Sequence, residues 1–160
     1  MYVPFENMPD DAKIWIYQSN RKFSEEEVVQ IEQKLMDFTN DWTAHGNPLQ
    51  ASFLTKYQRF IMLAVDPTGQ EATGCSIDSS VRFIQDLEQT YQVELLDKMN
   101  VTYKTGDFIA FKSLIDFKKM AKDKAVNENT IVFNNLVNTV GEWYEFWEVP
   151  ASESWHARFF

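Results

Sequence analysis

Cysteine, glycine and proline are scarce in this chain of 160 residues, and acidic residues outnumber basic ones. A single cysteine excludes an intrachain disulfide and fits a reducing cytoplasm. None of the five glycines begins a G-x-x-x-x-G-K-[ST] run, which excludes a P-loop for nucleotide phosphates. The longest strongly apolar run, residues 60–65, is too short to span a bilayer, and the opening residues lack the pattern of a signal peptide. We therefore expect a cytoplasmic protein.

The excess of acidic residues restricts the classes of partner. A formal net charge of −9 repels phosphate backbones and anionic lipid, so we expect neither nucleic acid nor membrane as a partner. Residues 112–124 are the exception, because five lysines against two aspartates give this segment +3. The segment is interpreted as a solvated helix face or as a docking patch for an acidic partner.

The composition indicates an ordered, well-packed protein. Hydrophobic residues make up 44% of the chain and aromatic residues 15%, which argues against disorder. No repeat, low-complexity tract or linker divides the sequence, and 160 residues suffice for a substantial core. The prediction is a single α+β domain over residues 1–160.

The first half of the chain predicts strands and two amphipathic helices. Residues 13–18 are typical of a strand, and Ser24 with Glu27 three residues later forms a capping-box pattern that opens a helix to about residue 42. The predicted apolar stripe of this helix consists of Val28, Ile31, Leu35, Phe38 and Trp42. A strand at 57–66 that is covered on both faces, a neighbouring strand at 71–77 and a helix over 78–92 are predicted next. A further strand would complete a ferredoxin-like βαββαβ core, an antiparallel sheet with helices mainly on one face.

The second half is predicted from weaker signals. We expect a strand over 107–112, with 101–104 as its possible hairpin partner, and a lysine-rich helix over about 114–125. An extended segment over 130–137, a short helix over 142–147 and an irregular packed tail from 150 to 160 complete the prediction.

The segment Gly74-Cys75-Ser76-Ile77-Asp78-Ser79-Ser80 is the main candidate site, at a predicted turn from a strand into a helix. Backbone N–H groups at a helix start attract anions and can activate a thiol. Cys75 is therefore the candidate nucleophile, with His45, or else His156, as its base. The candidate ligand-binding side chains are Ser76, Asp78, Ser79, Ser80 and Arg82. Helix capping explains the same residue types without any ligand.

The C-terminal segment concentrates aromatic residues. Eight of them fall within residues 133–160, and Trp143 and Trp147, four residues apart, are predicted to stack along one helix face. This tail either covers a sheet face or, through Trp143, Trp147 and Trp155, forms an interface with a partner or with a second copy in a homodimer.

No metal or cofactor is predicted, because the two histidines and the cysteine form no recognisable ligand spacing. Four segments, 15–21, 74–80, 147–150 and 154–156, together resemble a family of small Bacteroidota proteins of about this length, and the resemblance covers essentially the whole chain. Members often carry the label "ABC transporter ATPase". The resemblance implies no catalytic residues or cofactor, and ATPase activity is not expected without a P-loop.

The leading hypothesis is therefore a small α+β module that binds a protein partner or small ligand without chemistry. The alternative is a small enzyme or anion-binding protein that uses Cys75.

Overall fold

The computed structural model describes all residues, 1–160, as a mixed α/β protein with antiparallel sheets. The chain forms two compact units, residues 1–96 with 138–141 and residues 97–137 with 142–160. The single domain over residues 1–160 stays a prediction, because two compact units form one domain only if they unfold together.

The first unit contains five strands and two long helices. Their bounds in chain order are β1 Lys13–Gln18, α1 Glu25–Asp41, β2 Thr43–Ala44, β3 Asn47–Pro48, β4 Gln50–Lys56, β5 Phe60–Asp66 and α2 Gly74–Tyr91. Strands β1, β5 and β4 form an antiparallel sheet in that order, and β2 pairs with β3 as a separate short hairpin. The central strand β5 is buried over residues 60–65, which confirms the prediction of a strand covered on both faces.

Helix α1 follows the predicted pattern closely. The Ser24 hydroxyl accepts from the Glu27 backbone N–H and the Glu27 side chain accepts from the Ser24 N–H, so the capping box is present. Ile31 and Leu35 are fully buried against the sheet. The predicted apolar stripe is confirmed, and it places the opposite, acidic face of α1 toward solvent.

The second unit contains four strands and two short helices. Their bounds are β6 Asn100–Thr105, β7 Phe108–Ser113, α3 Leu114–Lys122, β8 Ile131–Phe133, α4 Val140–Phe146 (its first two residues in the first unit) and β9 Glu148–Pro150. The strands form an antiparallel sheet in the order β7-β6-β8-β9, and two 3-10 helices, Ala151–Glu153 and Trp155–Phe159, end the chain. The predicted lysine-rich helix and the β6–β7 hairpin are present.

The structure corrects two predictions for the region around β5. The strand that forms a hairpin with β5 is β4, which precedes it in the chain. Residues 71–77, predicted as a neighbouring strand, are a loop followed by the first turn of α2. The ferredoxin-like arrangement is not confirmed, because the strand after α2 pairs within the second sheet and not with β1. Placement of the helices mainly on one face is likewise not confirmed.

Residues 138–141 return to the first unit beside β1. Ile14 N–H donates to the Asn138 carbonyl at 3.1 Å, and Gly141 N–H donates to the Asp10 carbonyl at 2.9 Å. A Cβ at Gly141 would lie 3.1 Å from that carbonyl oxygen, so glycine permits this close backbone approach.

Candidate functional site

The start of α2 is an internally satisfied helix cap. Thr73 is the N-cap, its hydroxyl accepts from the Ser76 N–H at 3.3 Å, and the Ser76 hydroxyl lies 2.6 Å from the Thr73 nitrogen. Ser76 is buried, and its carbonyl accepts from the Trp42 indole N–H at 2.9 Å. Ser76 therefore holds α2 against the end of α1, while Cys75 beside it is exposed.

The other predicted polar residues of this turn bond mainly to their own helix. The Ser79 hydroxyl donates to the Cys75 carbonyl at 3.1 Å, and the buried Ser80 hydroxyl donates to the Ile77 carbonyl at 2.6 Å. The exposed Arg82 donates to the Ser79 hydroxyl at 3.3 Å. The Ser79 and Ser80 hydroxyls are therefore satisfied by backbone carbonyls of their own helix.

Asp78 is exposed in the second turn of α2. Asp78 and Cys75 therefore both face solvent at the start of the helix. Only Ser79 among the predicted site residues also lines a larger concavity.

The histidines are not joined to Cys75 by a hydrogen bond. His45 lies exposed in the turn between β2 and β3, at a positive φ of 52°. His156 is buried in the second unit, where Nδ1 lies 2.7 Å from the Ser154 hydroxyl and its ring stacks on Trp155. Burial, and secondarily the charge of Arg158, lowers the pKa of His156 to about 4. The thiol–histidine pair stays a prediction without geometric support.

An open groove with a volume of about 520 Å³ lies between α1 and the first turns of α2. Phe38 stacks on Phe83 with ring centroids 4.5 Å apart, and Phe38 also packs on Trp42 at 5.0 Å. The groove is lined by these three aromatics and by Lys34, Asp37, Asp41, Thr43 and Ser79. We call it the aromatic groove.

Two carboxylates set the charge of the aromatic groove. Asp37 and Asp41 lie one helical turn apart on α1 and are both exposed. Neither forms an ion pair, but the negative charge of Asp41 interacts with the Met1 ammonium. The one lining ammonium, Lys34, lies 5.4 Å from the centre of the Tyr91 ring, where a cation–π contact holds it. The groove therefore combines aromatic surface with a net negative edge.

A smaller cavity of about 240 Å³ lies on the other flank of the α2 start, lined by Lys13, Trp15, Val65, Pro67, Glu71, Ala72 and Ile77. Sites for small molecules occupy roughly 300–1,000 Å³. The aromatic groove falls within that range and this cavity falls below it. Of these two concavities of the first unit, we therefore take the aromatic groove as the candidate site.

Sequence reasoning missed most of the groove. Phe38 and Trp42 were placed in the core stripe of α1, and they do pack against the core. The available signal was that Asp37 and Asp41 follow the same spacing of four beside that stripe. Phe83 could not be placed, because its ring meets Phe38 only after the two helices pack.

The predicted interface tryptophans are mostly internal. Trp143 is 7% exposed and Trp147 2% exposed, and their rings stack with centroids 5.3 Å apart, as predicted. The Trp147 indole donates to Asn135 Oδ1 at 2.9 Å. Trp155 is half-buried, with Arg158 over its ring. The first two rings therefore offer little surface to a partner.

No cluster of three or more His, Cys, Asp or Glu side chains is placed to hold a metal ion. No helix combines the length and apolar character needed to cross a membrane. No family model, curated protein or solved structure matches the chain. The resemblance to the Bacteroidota family stays a prediction.

Proposed function

We propose that the protein is a non-catalytic binding module that takes a planar, positively charged small ligand in the aromatic groove. The observation that carries the proposal is that two exposed carboxylates, Asp37 and Asp41, lie beside the Phe38–Phe83 stack. Aromatic faces attract cations, and the two carboxylates also attract cations and repel anions.

The hydrogen bonds around the groove support binding over catalysis. The Trp42 indole N–H is bonded to the Ser76 carbonyl, and the Ser79 hydroxyl is bonded to the Cys75 carbonyl. No activated nucleophile–base pair of the kind that covalent catalysis requires lines the groove. An aromatic lining with a few polar groups is typical of sites that bind a ligand and release it unchanged.

The test is an NMR titration that follows the indole N–H signals of the five tryptophans. N-methylquinolinium serves as the planar cation and 2-naphthoate as the planar anion. We expect the cation to shift the Trp42 signal in a saturable way, because this indole lines the groove. Equal binding of the anion would contradict the proposal.

Paired variants separate groove charge from net charge. Asp37→Asn with Asp41→Asn should weaken binding of the cation about tenfold, since each lost contact contributes roughly 0.5–1 kcal/mol. Asp86→Asn, an exposed carboxylate of α2 outside the groove, is the control and should leave the dissociation constant almost unchanged. A comparable loss in the control would show that bulk charge, and not the groove, governs binding.

A further inference from the structure

The exposed face of α3 concentrates positive charge on an otherwise acidic protein. Lys118, Lys119 and Lys122 follow Ile115 at the helical spacings i+3, i+4 and i+7, so all four side chains lie on one face. The inner face buries Phe117 completely. The outer face is therefore available as a continuous stripe.

The C-terminal 3-10 helix completes this stripe with a fourth cation. Phe159 packs edge-on against Phe117 at 5.9 Å between centroids, which seats the tail on α3. Arg158 is held over the Trp155 ring at 5.1 Å, and its Nε donates to the Trp155 carbonyl at 3.4 Å. Together Ile115, Lys118, Lys119, Lys122, Arg158 and Phe159 line a groove of about 360 Å³, which we call the lysine groove.

None of the four cations of the lysine groove forms an ion pair within the protein. Setting them aside from the formal net charge of −9 leaves −13 on the remainder of the chain. Ile115, at 79% exposed, places an apolar side chain one helical turn before the lysines. Unpaired cations next to an exposed apolar residue are complementary to carboxylates next to an apolar residue.

We propose that the lysine groove docks a short acidic segment of a partner protein, one in which carboxylates flank an apolar side chain. Such a segment is short enough to contact the four cations and cover Ile115 without extending far over the acidic remainder of the surface. A nucleic acid or an anionic bilayer extends beyond the groove and is repelled by that remainder. This inference concerns a different surface from the aromatic groove and does not rest on the function proposed there.

The test measures fluorescence anisotropy of a short fluorescein-labelled peptide in which glutamates flank leucine. A peptide with lysine in place of glutamate is the charge control. We expect saturable binding of the acidic peptide alone, weakening as salt is raised from about 0.05 M to about 0.5 M. Absence of saturable binding, or equal binding of the basic peptide, would overturn the proposal.

Charge-matched variants locate the binding surface. Lys118→Glu with Lys119→Glu should weaken binding about tenfold or more, since it replaces two attractions by repulsions. Lys22→Glu with Lys98→Glu makes the same change of net charge at exposed residues outside the groove and should change affinity less than about threefold. Equal losses in the two pairs would refute the location.

Two further arms separate the proposal from its competitors. Ile115→Ser should weaken binding of the leucine-containing peptide, because it removes the apolar contact between Ile115 and the leucine. Binding of a peptide with alanine in place of leucine should stay the same, and equal losses for the two peptides would contradict the apolar contact. Single-stranded DNA and vesicles containing phosphatidylserine should bind more weakly than the acidic peptide, and tighter binding of either would overturn the proposal. If the reversed-charge pair fails to fold, Lys118→Gln with Lys119→Gln provides the same test at lower repulsion.

Discussion

Replacing Glu27 by glutamine is expected to destabilise the protein at neutral pH. Glu27 accepts two hydrogen bonds from Arg21, at 2.9 and 2.8 Å, and one from the Ser24 N–H at 2.9 Å. Arg21 in turn donates to the Tyr91 carbonyl at 2.7 Å, at the end of α2. The carboxylate thus links the start of α1 to the end of α2.

The magnitude follows from the pKa of this carboxyl. Hydrogen bonds from Arg21 and then from Ser24 lower the pKa of Glu27 from 4.5 to about 2. That displacement corresponds to about 3 kcal/mol for a pair shielded from water. The side chains of Arg21 and Glu27 are 41% and 23% exposed, so solvent screens the pair. We therefore expect Glu27→Gln to cost about 1–2 kcal/mol at pH 7.

The pH dependence gives the sign of the effect. Because the pKa of Glu27 is lower in the folded state, the unfolded state binds the proton more readily. The stabilisation is complete above an unfolded pKa of 4.5 and is lost as the pH falls toward about 2. The difference between wild type and Glu27→Gln should shrink over that interval.

Urea unfolding followed by circular dichroism at several pH values measures this difference. Glu26→Gln is the matched control, since it removes a carboxylate from the same helical turn that has no ion-pair partner. It should cost less than about 0.5 kcal/mol. Equal destabilisation by the two variants, or a difference independent of pH, would refute the reasoning.

Three further predictions concern the second unit and the exposed thiol. Phe117→Ala should lower the free energy of unfolding, measured in urea, by about 3–5 kcal/mol, because it leaves a cavity at the centre of the aromatic cluster beneath the tail. Phe117→Leu should lower it clearly less, and similar losses in the two variants would argue against cavity formation. The ring signals of His156 should show no titration midpoint near pH 6.5, since burial lowers the pKa of His156 to about 4. The free energy of unfolding that depends on the neutral ring is complete above pH 6.5 and declines as the pH falls toward 4. A midpoint near 6.5 in an NMR titration would contradict that burial. Iodoacetamide should modify the exposed Cys75 in the native protein at a rate unchanged by His45→Ala, as measured by mass spectrometry, and a slower variant would revive the thiol–histidine pair.

Errors in the sequence-based prediction occurred where the usual turn and cap residues are absent. The β4–β5 hairpin turns through Tyr57 and Gln58, both at positive φ, although neither is the glycine or asparagine that signals such a turn. Helix α2 begins at a Thr73–Ser76 capping box that has serine in place of the usual glutamate or glutamine. The prediction therefore missed β4 and assigned the start of α2 to a strand.

Local patterns were enough to predict α1 with its capping box, the buried strand β5 and the lysine-rich helix α3, because the residue types that favour each element follow one another within a short stretch of chain. The clustering of lysines was likewise visible in the sequence, but their completion by Arg158 was not.

Only the tertiary structure decided which strands pair, which tryptophans are buried and where grooves form. The aromatic groove exists because Phe83 of α2 meets Phe38 of α1, and the lysine groove because Phe159 packs on Phe117. Such contacts join residues about 40 positions apart, so their free energy depends on closing long loops and on shape complementarity that no local pattern encodes.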